Sequence, residues 1–181
     1  MLEPHNIILV VARSSPALTT LFSIILFFLT DEIEYVILGI SLFFADGLNH
    51  ILKDYVFKPI MGNKNWPIIG LGKRPNGANN TGLMYFDKKN ISTSYGMPSG
   101  HSQNIAMFST YMILKLLNSK ISNNIKMIGY IFFIGLTLYI MWSRVYMICH
   151  TVQQTIVGSS IGILLGYSLF NVIRKEPNYF S

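Results

Sequence analysis

The sequence predicts an all-α, multi-pass membrane bundle of about five transmembrane helices, and three observations carry that prediction. Of the 181 residues, 51% are hydrophobic and only 12% charged, against about 25% charged in an ordinary soluble domain. Mean hydropathy is +0.42. Apolar runs recur along the chain with almost no charge inside them, approaching the ~20 residues that a bilayer core requires. These features disfavour a soluble core, a disordered chain, a coiled coil and a disulfide scaffold; the one cysteine, Cys149, has no partner for an internal bridge. The net charge of +6 gathers into no long basic tract, so no nucleic-acid partner is expected. The length predicts one domain over residues 1–181.

Each element follows from its residues. A first helix is expected near 14–30, a stretch without charge. The preceding residues lack a basic start, and the apolar run leads into Asp31-Glu32-Ile33-Glu34 without a clear cleavage site. This helix is therefore expected to remain as an anchor rather than a cleaved signal. A second helix is expected near 33–56, with Asp46 the only charge over 35–52. Then comes the long loop, 57–98, with six glycines and with Pro59, Pro67, Pro75 and Pro98. Loops longer than about 12–15 residues are often functional. The remaining helices are expected near 99–117, 125–147 and 151–173. The first and third are the shortest, and the third has a polar start. Trp66, Trp142 and the tyrosines read as interfacial anchors. Gly158, Gly162 and Gly166 recur every four residues, a pattern that lets helices approach closely; it reads as packing inside the bundle rather than as a dimer face.

Five spans put the N-terminus, the 57–98 loop and the turn between the last two helices on one membrane side. Lys53, Arg74 and Arg144 aside, that side carries six Lys/Arg and the other five, so the positive-inside rule does not orient the chain.

Three short segments meet on the loop side. They are Lys73-Arg74-Pro75, with Lys53 upstream at the end of the second helix; Pro98-Ser99-Gly100-His101; and Ser143-Arg144, five residues, then His150. Lys53, Arg74 and Arg144 are cations, and guanidinium forks match phosphate oxygens. Ser99 stands where an N-cap would, so the N–H groups of Gly100 and His101 would face an anion. Two histidines can divide the work, one attacking phosphorus and the other protonating the leaving oxygen. No metal cage is legible, and no cofactor is expected. His50 and Asp46 are one turn apart and are expected to bond each other. Cys149 reads as an inert small residue.

In that order, Arg-Pro, Pro-Ser-Gly-His and Ser-Arg-(five)-His resemble the signature of the type 2 phosphatidic acid phosphatase superfamily, which includes lipid phosphate phosphatases and vanadium haloperoxidases. The resemblance covers roughly residues 40–170. The strings Tyr95 to Gln103, Ser143 to Thr151, and Asp46-Gly47-Leu48-Asn49 running into Lys53 are most similar to its dolichyl diphosphatase branch. This resemblance implies that His150 is the nucleophile forming a phosphohistidine and His101 the acid. It implies that Lys53, Arg74, Ser99, Gly100 and Arg144 cradle phosphate, and that no metal takes part. It also implies a lipid phosphate or diphosphate substrate, with a polyprenyl (dolichyl) diphosphate foremost, and an active site on the lumenal face of the endoplasmic reticulum. A soluble haloperoxidase fits this chain poorly.

Two departures stand out. The family lysine lies seven residues before the arginine, where this chain has Pro67. The helix context favours Lys53 for the role, with Lys64 and Lys73 as rivals. Most of the superfamily has an aspartate four residues after the nucleophile; here Gln154 stands there, able to accept the ring N–H and orient His150 but without charge. Those departures support the alternative reading, a non-catalytic lipid-phosphate-binding or assembly protein that keeps the pocket. Asn79-Asn80-Thr81 and Asn90-Ile91-Ser92 are glycosylation acceptor patterns in the loop.

Overall fold

The computed structural model describes residues 7–79 and 92–175. Its long helices are α1 (Ile7–Thr30), α2 (Glu34–Ile51), α4 (Gly100–Asn118), α5 (Asn123–Tyr146) and α6 (Val152–Lys175). A π-helical turn over Leu52–Phe57 carries α2 into the short α3 (Lys58–Met61). The loop that follows contains one element absent from the sequence reading. Strands β1 (Asn65–Trp66) and β2 (Gly70–Leu71) pair antiparallel. Four stretches are long and apolar enough to cross a bilayer, namely Leu9–Thr30, Glu34–Met61, Asn123–Tyr146 and Val152–Lys175. The chain is a multi-pass membrane protein, and large side chains such as Phe28, Phe43, Phe44, Ile131 and Leu164 are exposed on the bundle's outer surface.

The fifth long helix, α4, is a different kind of span. Its 19 residues extend about 28 Å, and it buries polar side chains, Ser102, Gln103, Asn104 and Ser109, among apolar ones such as Ile105, Met107, Phe108 and Tyr111. It runs through the middle of the bundle, touching α1, α2, α5 and α6. Neighbouring helices, not lipid, bond its two amides. The Asn49 amide donates to Gln103 Oε1 at 2.8 Å, and Gln103 Nε2 donates to the Ala45 carbonyl at 2.8 Å. Thr19 Oγ1 donates to Asn104 Oδ1 at 2.8 Å, and Asn104 Nδ2 donates to the Leu42 carbonyl at 3.3 Å.

Helix α1 begins before residue 14 and passes through Pro16. Proline has no N–H for the carbonyl four residues back. That carbonyl belongs to Ala12, and the Ser15 hydroxyl donates to it at 3.1 Å. A neighbouring Ser/Thr is how membrane helices keep an internal proline. At the opposite face, Lys115 pairs with Glu32 at 2.8 Å and with Glu34, and the Tyr111 hydroxyl donates to Glu34 at 2.7 Å. These contacts pin the α1–α2 turn to the end of α4. An aromatic cluster sits above them, including Tyr35, Phe108, Tyr111, Phe133 and Phe170.

The glycine stripe of α6 lies against the backbone of α4. A Cβ on Gly158, Gly162 or Gly166 would stand 2.4, 2.1 and 2.5 Å from the carbonyl oxygens of Ser99, Gln103 and Met107. Both series step by four residues, so the two helices meet backbone to backbone over two turns, and the stripe is internal packing. Gly162→Val should therefore destabilise the protein by at least about 2 kcal/mol. Gly135→Ala on α5, where nothing lies within 4 Å of the added carbon, should be close to neutral. Thermal unfolding in detergent checks both; equal melting temperatures for the two variants would refute the close contact.

Candidate active site

The loop-side ends of α2, α4 and α5, the segment before α6 and the 57–98 loop enclose a cavity of about 240 Å³. Lys53, Arg74, Gly100, His101, Arg144 and His150 all line it, together with Asp46, Asn49, His50 and Ser92 to Ser94. Six of the eight residues singled out from sequence thus share one wall. The other two, Ser99 and Gln154, are fully buried behind it.

Local structure explains each position. Lys53 belongs to the π-helical turn and is only 6% exposed; such turns mark functional sites in many helices. Its rivals stand elsewhere, Lys73 lining an adjoining cavity on the loop side and Lys64 lining neither. Arg74 is held on three sides. Its Nη2 donates to Ser94 Oγ at 2.9 Å, its Nε to the Ser94 carbonyl at 3.2 Å, and its Nη1 to the Cys149 carbonyl at 3.0 Å. Burial lowers its pKa, but a guanidinium keeps its charge in proteins. Arg144 lies in the last turn of α5 and is 2% exposed. Its carbonyl accepts from the amides of Cys149 at 3.0 Å and His150 at 3.2 Å. That closure, with Ile148 at φ 56°, folds the five intervening residues into a tight turn. A left-handed β-branched residue is costly, and here it lies in the turn that delivers His150.

Ser99 occupies the N-cap position of α4 but makes no side-chain cap bond. Its hydroxyl instead accepts from Ser102 Oγ at 3.0 Å, and its N–H donates to the Gln154 carbonyl at 3.1 Å. The expected cap is thus replaced by a link between α4 and α6. Gly100 borders the cavity, where a Cβ would come within 3.0 Å of Asn49 Oδ1. The N–H groups of this first turn have no partner within the helix. His50 and Asp46 do not bond each other; both are exposed at the cavity wall. Cys149 is fully buried, in keeping with an inert residue. Asn79 Nδ2, the atom that would carry a glycan, donates to the Met147 carbonyl at 3.0 Å, while Asn90 lies outside the described residues.

The histidines are held in different ways. His150 Nδ1 meets Gln154 Oε1 at 3.0 Å, while Nε2 lies 3.5 Å from Arg74 Nη1. His101 Nε2 meets the Arg13 carbonyl at 2.9 Å. A carbonyl only accepts, so His101 Nε2 carries the proton and Nδ1 is the nitrogen left to exchange one. Arg13, on α1, was not legible as part of the site; a lone arginine before an apolar run reads as a flank. Ser94 was equally hidden, being one polar residue in a polar loop.

Three cations against one carboxylate, Asp46, make the cavity a site for an anion. Among the described residues no three His, Cys, Asp or Glu side chains gather as metal ligands would. Burial first, then Arg74, Arg144 and Lys53, pushes the His150 pKa well below its ordinary 6.5. The imidazole is therefore neutral at pH 7.

Fold and site together define an integral-membrane helical bundle with a cationic, histidine-lined pocket at one face. The chain belongs to the PAP2 superfamily, whose family model matches residues 34–177. It is similar to Dolichyldiphosphatase 1 of Dictyostelium discoideum, 39% identical over 84 residues, covering 45% of this chain and 37% of that protein. It is similar to the Dolichyldiphosphatase of Saccharomyces cerevisiae, 28% identical over 162 residues, covering 87% and 59%. It also resembles Lipid phosphate phosphatase gamma of Arabidopsis thaliana, 35% identical over 85 residues, covering 45% and 38%. This chain thus spans between 37% and 59% of the length of these relatives. No solved structure matches it.

The depressed His150 pKa carries a pH prediction. A group whose pKa is lowered gains its proton only at lower pH. Because kcat/KM reports groups of the free enzyme, its histidine-dependent acid limb should fall below pH 6.5. A half-maximal rate at or above 6.5 in an assay against a phosphate ester would contradict this electrostatic picture.

Proposed function

We propose that this protein is a membrane phosphohydrolase that removes phosphate from a lipid phosphate or diphosphate, with a polyprenyl diphosphate such as dolichyl diphosphate as the leading substrate. The observation that carries the reading is the geometry of His150. Its Nδ1 is occupied by Gln154, which leaves Nε2 as the unprotonated nitrogen beside Arg74, in a cavity lined by two further cations and by His101. The relatives' names support the substrate class. The tail would stay in the bilayer while the head group enters the cavity.

The chemistry balances with these groups alone. The Nε2 lone pair of His150 attacks the terminal phosphorus, forming a P–N bond as the P–O bond to the leaving group breaks. The anionic head group offsets the three cations, so that His101 takes a second proton at Nδ1 when substrate binds and gives it to the departing oxygen. Water then attacks the phosphohistidine and gives its proton to His101, and inorganic phosphate leaves with His150 restored. Lys53, Arg74, Arg144 and the first-turn amides of α4 hold the phosphoryl oxygens through both steps. The rival reading is a non-catalytic binder that keeps the pocket; the bond from Gln154 to His150 and the place of Lys53 in the cavity support the catalytic one.

Turnover of dolichyl diphosphate, phosphatidic acid and a soluble phosphate ester, with label transfer to protein under acid-free quench, tests the proposal. His150→Ala should lose roughly 10³-fold or more in kcat and retain no labelled intermediate. His101→Ala should slow label formation by about 10²-fold or more. A wild-type protein that binds lipid diphosphate without releasing phosphate would establish the binder instead.

Orientation is part of the proposal: the N-terminus and the 57–98 loop lumenal, the C-terminus cytosolic. Protease protection in microsomes should spare a tag in the loop and remove one at Ser181. The reverse pattern would invert the topology.

A further inference from the structure

Gln154 touches all three motif segments. Its Oε1 meets His150 Nδ1 at 3.0 Å and accepts from the Thr151 N–H at 3.2 Å. Its Nε2 donates to the carbonyls of Leu71 at 2.8 Å and Lys73 at 2.6 Å. Its own carbonyl accepts from the Ser99 N–H at 3.1 Å. The side chain is fully buried, so water does not compete for these bonds.

The orientation of this amide is forced. Two carbonyl oxygens cannot donate, so the atom facing Leu71 and Lys73 is the nitrogen. The oxygen must then face His150, and Nδ1 of the ring must bear the proton. One amide thus sets the histidine tautomer and fastens the strand end that leads into Arg74. A carboxylate does the first job in a catalytic triad but fails at the second, because it is an acceptor only.

We infer that Gln154 is a two-sided positioning residue, clamping the 71–73 backbone, and with it Arg74, to the nucleophile, and that a carboxylate cannot replace it. This rests on the role proposed above for His150 and deepens it. A carboxylate at this point would set one oxygen against two carbonyl oxygens at hydrogen-bond distance. The loop must then release, or the acid must take up a proton and donate to one carbonyl. Gly96 supplies an independent handle. It does not line the cavity, yet a Cβ there would stand 2.6 Å from Gln154 Nε2 and 2.8 Å from the Arg74 backbone nitrogen.

The test is Gln154→Glu, read in two ways on the purified full-length protein. Amide hydrogen exchange over residues 71–74 at pH 7.5 should be at least about tenfold faster than in wild type. Exchange equal to wild type overturns the clamp, whatever the activity. The kcat at pH 7.5 should fall about 10²-fold, and the ratio of variant to wild-type kcat should recover as pH is lowered toward 5, where the protonated acid regains a donor. Activity matching wild type at pH 7.5, or a folded variant that shows no acid recovery, also overturns it. If Gln154→Glu does not fold, Gly96→Ala takes its place, with faster exchange at 71–74 and at least tenfold lower kcat expected; a wild-type result on either reading overturns the clamp. Wild-type protein without turnover would defeat the proposed function, while the exchange measurement would still decide the clamp.

Discussion

The backbone contact between α4 and α6 is the constraint on which the rest depends. Three glycines of α6 rest on three carbonyls of α4, and no side chain fits between them. The first of these contacts, Gly158 on Ser99, is at the very start of α4, and His150 precedes α6 by two residues. The two helices can therefore hold His101 and His150 on one cavity without help from a flexible loop. The Ser99–Gln154 backbone bond fixes the register at that end. Rigid elements position reacting groups better than loops do, and the tight α5–α6 turn adds Arg144 to the same frame.

Around this pair the bundle resolves a conflict between chemistry and solvent. An anion pocket needs cations and polar amides, while a bilayer penalises both unless they are paired. Here they are gathered on the central helix and on the faces turned toward it. Asn49, Gln103, Asn104 and Thr19 form bonded chains that end on the carbonyls of Ala45 and Leu42. The outer helices can then present apolar side chains to lipid; among the buried residues of α5 are only Phe133, Ile140, Ser143 and Arg144.

How far the residues foretold this varies by element. Apolar runs on α1, α2, α5 and α6 are legible because lipid contact demands them over most of each helix's circumference. Helix α4 was the hardest to read, since enclosure removes the hydrophobic requirement that hydropathy detects. The chargeless stretch that marks α1 begins only after Arg13, but the helix itself starts earlier. Arg13 is internal to it, as is Pro16, where Ser15 compensates for the missing proline N–H. For the site, the motif residues point to the cavity they line, and Lys53, chosen from its helix context over the family spacing, lines it too. Ser99 was read as a cap from its place before a helix; its hydroxyl is drawn to Ser102 instead. The Arg13 carbonyl is beyond any reading of side-chain types, since a main-chain oxygen leaves no mark on the sequence. The second face of Gln154 is invisible for the same reason, its partners being the carbonyls of Leu71 and Lys73.

The enclosed polar residues of α4 bear on how the protein is made. On insertion scales each charged residue at a helix centre costs about 2.5–3.5 kcal/mol, and amides carry a smaller penalty of the same sign. A helix with Ser102, Gln103, Asn104 and Ser109 around its circumference is a poor candidate to partition into lipid by itself. Its partners on α1 and α2 precede it in the chain and emerge from the ribosome first. Thr19 and Asn49 can be waiting in the membrane when Asn104 and Gln103 arrive. Biogenesis of this protein then couples integration to assembly: the central helix enters by docking on helices already there, and the pocket is completed when α6 closes over it.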